Sequence, residues 1–163
     1  MNGVQLALHA LHRGERHLAT ELVSAADRHR ADHEIHHVAT DLAAWSHEHV
    51  HRLAEAAARH GAELGGPAGG FSDGVPATPR RDAPGPAGRG PDPRLLLLRD
   101  LHDLHLAATH NSLHWEMLAQ VAQATRTPGL VTLASACHPR TLRQMRWTNT
   151  MIKTLSPQVL SSL

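Results

Sequence analysis

The sequence is poor in the residues that build sheets, disulfides and membrane spans. Among its 163 residues there is one Cys, one Phe and no Tyr. A single cysteine, Cys137, excludes an intrachain disulfide and an all-cysteine zinc site. The scarcity of aromatic residues disfavours strands, whereas abundant Ala and Leu favour helices, so we predict an all-α protein. The Leu95–Leu98 run is far too short to cross a bilayer.

The two signs of charge nearly cancel, since 16 Lys and Arg stand against 15 Asp and Glu. This balance leaves no electrostatic footprint for nucleic acid or for a membrane surface, and we expect neither partner. The segment from Met1 to Leu18 carries His and Arg within its apolar pattern and has no signal-peptide core, so we expect a cytoplasmic protein. The unusual feature is the presence of 16 histidines, which raises the question of a bound metal.

Apolar residues recur at alternating steps of three and four along four segments, which predicts four amphipathic helices. The predicted helices cover about 4–28, 33–60, 93–126 and 130–155. Asp32 is the expected cap of the second helix and Gly61 its stop. Pro139 is expected to kink or interrupt the fourth helix, because proline removes a backbone donor.

Gly and Pro recur over 61–93 without any apolar periodicity. A segment of about thirty residues is long enough to traverse a helical bundle. We therefore predict a single domain over 1–163, a four-helix bundle made of two helical hairpins, 1–60 and 94–163, joined by a long Gly/Pro-rich crossover between helices 2 and 3. The alternative is that 61–93 is a linker between separate hairpins.

A carboxylate interrupts the apolar stripe of the first helix, where Glu15 lies between Leu11 and Leu18. Such a residue is costly in a core unless it is paired, hydrogen-bonded or bound to metal. On the second helix Glu48 and His51 are three residues apart, so their side chains point the same way. Counting along the first hairpin places Glu15 and Glu48 within about a turn of each other.

Polar residues of the second hairpin are expected at the same level if helices two and three run parallel. They are Asn111, His114, Thr141 and Gln144. His110 and His114 are also four residues apart, a spacing that lets two imidazoles chelate one ion. The alternative for each such pair is a solvated surface histidine. The predicted metal ligands are Glu15, Glu48, His51, His110 and His114.

This organisation resembles the ferritin-like superfamily, whose bundles have short first and last joins and one long middle crossover. Members usually carry a Glu on helix one and Glu-x-x-His on helix two, and Glu15 and Glu48-x-x-His51 match that half of the pattern. In the other half, Glu116 lies beside the core face, and the fourth helix has no Glu-x-x-His. The resemblance implies a single-metal or degenerate site for iron, manganese or zinc, with redox chemistry or metal storage as the function.

The alternative is a metal-free oligomeric helical interaction protein, in which Glu15 pairs with His49 or with an Arg. Leu106, Leu113 and Met117 fall on the outer side of the third helix, away from its core face. A second apolar stripe on a bundle helix predicts a subunit interface, so we expect a homo-oligomer, most simply a dimer.

Enzymatic activity is left open by the sequence. It contains no Gly-rich phosphate loop, nucleophile elbow or zinc-protease motif, which leaves a hydrolytic or nucleophilic enzyme as the weakest hypothesis. Cys137, beside His138, is either a redox thiol or a small buried hydrophobe.

Overall fold

The computed structural model describes residues 1–64 and 92–163, which fold into four α-helices and contain no strand. The helices are α1 (Gly3–Arg28), α2 (His33–Arg59), α3 (Pro93–Ala124) and α4 (Pro128–Leu160). The predicted all-α class and the four predicted helices are confirmed. Within these two ranges, no helix combines the length and the apolar character that crossing a membrane requires.

The ends of the first two helices follow from local hydrogen bonding. Asn2 and Gln5 form a capping box at the start of α1, in which each side chain accepts from the other residue's backbone N–H at 2.9 and 3.0 Å. Asp32 caps α2 by accepting from the backbone N–H of Ile35 at 3.1 Å. α2 stops before Gly61, whose φ of 68° is a left-handed conformation that favours glycine. The predicted cap and stop of α2 are confirmed.

Helices α1 and α2 form one antiparallel hairpin, α3 and α4 form the other, and the hairpins pack with α1 on α3 and α2 on α4. Arg28 contacts Asp100 near one end of the bundle, and Glu15 contacts Trp115 midway. The later residue of α1 therefore contacts the earlier residue of α3, so these two helices are antiparallel. It follows that α2 and α3 are parallel, and that α2 ends and α3 begins at opposite ends of the bundle. A long crossover suits this arrangement, but residues 65–91 of the predicted crossover lie outside the described ranges.

The fourth helix differs from its prediction in two respects. It is a single helix of 33 residues that continues through Pro139 without interruption. Cys137 and Thr141, on either side of this proline, are both buried. Packing therefore stabilises the helical turns before and after Pro139, although the proline removes one backbone hydrogen-bond donor. The helix also runs past its predicted end at 155, because Val159 is buried against the bundle.

Candidate functional site

A layer of buried polar side chains separates two apolar clusters of the core. Leu11 and Trp115 belong to one cluster, and Leu18 and Ala108 belong to the other. These side chains are shielded from bulk solvent, so each polar group must meet a protein partner, a buried water or a bound ligand. The layer comprises Glu15 of α1, Ser46 and His49 of α2, Asn111 of α3, and Thr141 and Gln144 of α4.

Glu15 is the central acceptor of this polar layer. Its Oε1 accepts a hydrogen bond from Trp115 Nε1 at 2.9 Å and another from His49 Nδ1 at 3.1 Å. The His49 and Trp115 rings meet edge to face, with centroids 5.7 Å apart and planes at 78°. The carboxylate thus joins α1, α2 and α3, and the placement of Glu15 within the core agrees with its place in the apolar stripe.

His49 carries a proton at neutral pH. Burial lowers the pKa of His49, but the nearby Cys137 and the hydrogen bond and attraction to Glu15 raise it to about 9. Glu15 and His49 therefore form an ion pair inside the core. His49 is seven residues after Leu42 and four before Leu53, both buried, and this stripe position is the signal that could have identified it.

The fourth helix joins the polar layer through Gln144. Its Nε2 donates to the backbone carbonyl of Leu42 at 3.1 Å and to Ser46 Oγ at 2.9 Å. Thr141 and Gln144 are both buried, as their predicted level requires. These bonds join α4 to α2, the pair of neighbouring helices that make the least contact with each other.

Asn111 enters the layer because α1 has no side chain opposite it. A Cβ placed on Gly14 would lie 2.1 Å from Asn111 Oδ1 and 3.7 Å from His110 Nδ1. The glycine therefore allows α3 to approach the backbone of α1 closely at this point. Asn111 and His110 consequently lie beside Gly14, the residue before the buried Glu15.

Glu48 and His51 lie outside the polar layer. Glu48 is exposed and accepts a hydrogen bond from Arg140, which lowers the pKa of Glu48. The side chain of His51 is 76% exposed and lies 3.3 Å from Glu55, one turn further along α2. Glu48 precedes the buried His49 by one residue and His51 follows it by two, so a rotation of about 100° per residue turns both outward.

His110 and His114 are the two predicted ligands that the structure brings into contact. Their ring centroids are 4.4 Å apart, and His114 Nδ1 donates to the backbone carbonyl of His110 at 2.9 Å. Across 1–64 and 92–163, no three His, Cys, Asp or Glu side chains form a group suited to a metal ion. The five predicted ligands do not converge, and the mid-bundle metal centre stays a prediction.

A second buried carboxylate, Asp100, was not identified from the sequence. Its Oδ2 accepts from Arg28 Nη1 at 2.7 Å and from His29 Nε2 at 2.6 Å. Asp100 lies on the buried face of α3, one residue before Leu101, and its partners lie at the end of α1. The position of this carboxylate beside the core stripe was the signal available in the sequence. Its hydrogen-bond donors Arg28 and His29, however, are more than seventy residues away in sequence.

The outer side of α3 carries three exposed apolar side chains. The exposed fractions of Leu106, Leu113 and Met117 are 50%, 60% and 42%. We call these three residues the α3 outer face. Their exposure agrees with the predicted second stripe on this helix.

No protein-family model, curated protein or solved structure matches this chain. The geometry of its own residues is therefore the basis for a functional proposal.

Proposed function

We propose that this chain is a helical interaction protein that self-associates through the α3 outer face. The observation that carries the proposal is the exposure of Leu106, Leu113 and Met117 on one side of a helix whose opposite side is fully packed. Their spacings of seven and four residues keep them on a single stripe. A contiguous exposed stripe of large apolar side chains marks an interaction surface rather than an ordinary solvated helix.

Polar residues also lie between these apolar side chains, and the hydroxyl of Thr109 is satisfied within α3. Thr109 lies between Leu106 and Leu113, and its hydroxyl donates to the backbone carbonyl of His105 at 2.8 Å. The donor is thereby satisfied within α3 itself, which lowers the cost of covering this surface.

A second copy of the chain is the partner that this face fits best. Two-fold, antiparallel pairing of α3 about Leu113 places the two copies of Leu113 against each other, with Leu106 and Met117 on either side of this centre. The same patch then supplies both sides of the interface, as a two-fold interface requires. A homodimer is therefore the proposed assembly.

The buried ion pair also favours this function over a metal centre that relies on Glu15. A buried carboxylate in a helical stripe calls for a metal when no other partner is present. Here Glu15 is compensated by His49 and Trp115, and Glu48 is bound by Arg140. The same pairing of Glu15 with His49 was expected for the metal-free alternative.

The proposal is tested by light scattering coupled to gel filtration. The wild type is expected at about twice the chain mass of 17.7 kDa, and Leu113→Glu at about the chain mass. The matched control is Val23→Glu, which introduces the same charge at an exposed apolar residue of α1. A wild type that stays monomeric at high concentration contradicts the proposal, as does equal dissociation by the control.

Metal binding in the polar layer is the second candidate, and it is the function that the ferritin-like resemblance implies. Three buried oxygens favour it, because they have no hydrogen-bond partner within the described ranges: Glu15 Oε2, Thr141 Oγ1 and Gln144 Oε1. Iron, manganese or zinc are the candidate ions, and His49 has to release its proton to join them as a ligand. Elemental analysis of untagged protein tests this candidate. Stoichiometric metal that disappears in Glu15→Gln supports it, and a metal-free wild type contradicts it.

A further inference from the structure

We propose that His110 and His114 form a two-histidine binding site for a divalent transition-metal ion, with Zn²⁺ as the reference ion, in the seam between α1 and α3. This site is separate from the polar layer and uses neither Glu15 nor the exposed ligands of α2. It also does not depend on the proposed self-association, because both ligands belong to one helix of one chain.

The spacing and the contact between the two rings carry the inference. Residues four apart in a helix lie on the same face, one turn above the other. The His110 and His114 centroids are 4.4 Å apart with planes tilted by 38°. Two imidazoles on one tetrahedral Zn²⁺ each place a nitrogen about 2.0–2.1 Å from the ion, which sets their centroids about 5 Å apart, so this pair needs only a small change in ring orientation to bind one ion.

A comparable pair on α2 lacks this close approach. His33 and His37 are also four residues apart, but their centroids are 6.3 Å apart and their planes are nearly parallel at 15°. His33 and His37 therefore provide a matched control with the same residue type and the same spacing.

The hydrogen bonding of His114 sets it in the tautomer that binds a metal. A backbone carbonyl only accepts, so the bond of 2.9 Å to the carbonyl of His110 requires a proton on Nδ1 of His114. In the neutral ring the lone pair is then on Nε2. A hydrogen bond to the second ring nitrogen is the usual way in which proteins orient a metal-binding histidine.

Gly14 is the residue of α1 that lies beside His110. A Cβ on Gly14 would lie 3.7 Å from His110 Nδ1, an ordinary contact distance, so α1 does not crowd this nitrogen.

Calorimetric titration of untagged protein with Zn²⁺ tests the site. The wild type is expected to bind one ion more tightly than the rest, and His110→Ala to weaken this step by about tenfold or more. His37→Ala is expected to leave the first step unchanged. Equal affinity in wild type and His110→Ala overturns the proposal, and so does an equal loss in His37→Ala.

Further measurements separate this site from other effects. Broadening of imidazole NMR signals by substoichiometric Cu²⁺ is expected first at His110 and His114, and first broadening at other histidines contradicts the assignment. The titration is repeated with His114→Gln, with circular dichroism verifying the fold of each variant. Repeating it over a range of protein concentrations distinguishes a site within one chain from an ion held between two copies, and an affinity that rises with protein concentration contradicts the proposal. An effect of Glu15→Gln on the first step likewise assigns the ion to the polar layer instead.

Discussion

The carboxylate of Glu15 on α1 accepts a hydrogen bond from the indole Nε1 of Trp115 on α3, at 2.9 Å and with both side chains fully buried. The same oxygen accepts from His49 on α2. One atom therefore connects three helices at the level where the core changes from one apolar cluster to the other. This connection fixes how the two hairpins are aligned, since a shift of either hairpin along the bundle separates the three groups.

Removal of the Glu15 carboxylate is expected to be strongly destabilising. In Glu15→Ala the protonated His49 and the Trp115 N–H lose their acceptor inside the core, which costs about 3–5 kcal/mol of unfolding free energy. Urea denaturation followed by circular dichroism measures the change. The control is Glu55→Ala, which removes a carboxylate from an exposed pair with His51 and costs about 0–1 kcal/mol. Similar losses in the two variants contradict the buried ion pair.

Stability is expected to fall in alkaline solution as His49 loses its proton. The pKa of His49 in the fold, about 9, exceeds its ordinary value of 6.5, so protonation stabilises the folded state. The contribution, roughly 3 kcal/mol, is complete below pH 6.5 and disappears as the pH rises through about 9. Denaturation from about pH 6 to about pH 10 measures it, and His49→Gln is expected to flatten the pH dependence.

A second variant distinguishes His49 from other groups that titrate in the same range. Cys137→Ala removes one of the partners that raise the pKa of His49, so the loss of stability is expected at lower pH. An unchanged transition in Cys137→Ala shows that a different group is responsible.

The sequence predicted the helices well because the information needed for them is local. Apolar steps of three and four, the Asp32 cap and the Gly61 stop are all read within a few residues. Glu15 was also predictable as a core residue, because it occupies a position in its helix's own apolar stripe. The partners of Glu15 and Asp100 were harder to identify, since they come from helices distant in sequence.

Glu48 and His51 illustrate the limit of a spacing motif. A separation of three residues shows that two side chains point the same way, but it does not show which way that is. The orientation follows from the buried neighbours Leu42 and Leu53, and these put His49 on the core face. A ligand motif should therefore be placed relative to the apolar stripe of its helix before its residues are assigned to a buried site.

Gly14→Ala is expected to destabilise the protein although alanine is the better helix former. The new Cβ would lie 2.1 Å from Asn111 Oδ1, and the resulting displacement costs about 1–3 kcal/mol, more than the gain in helix propensity of about 0.5–1 kcal/mol. Thermal unfolding measures the difference. Gly129→Ala is the control, because nothing lies within 4 Å of its new Cβ. Adding Asn111→Ala to Gly14→Ala is expected to recover part of the loss, and no recovery contradicts the close approach.

Asp100→Ala is expected to loosen the end of the bundle where α1 meets α3. Removing this buried acceptor leaves Arg28 and His29 without their carboxylate, at a cost of about 3–5 kcal/mol measured by urea denaturation. Asp27→Ala is the control, because Asp27 forms an exposed pair with Arg30 worth about 0–1 kcal/mol.

The two residues at the end of α1 that bind Asp100, Arg28 and His29, are expected to differ in their response. Arg28 is partly exposed and can turn to solvent, whereas His29 is buried and cannot. His29→Ala, which also removes buried volume, is therefore expected to cost more unfolding free energy than Arg28→Ala. The opposite order in urea denaturation indicates that the guanidinium, rather than the imidazole, provides the main compensation for the buried carboxylate.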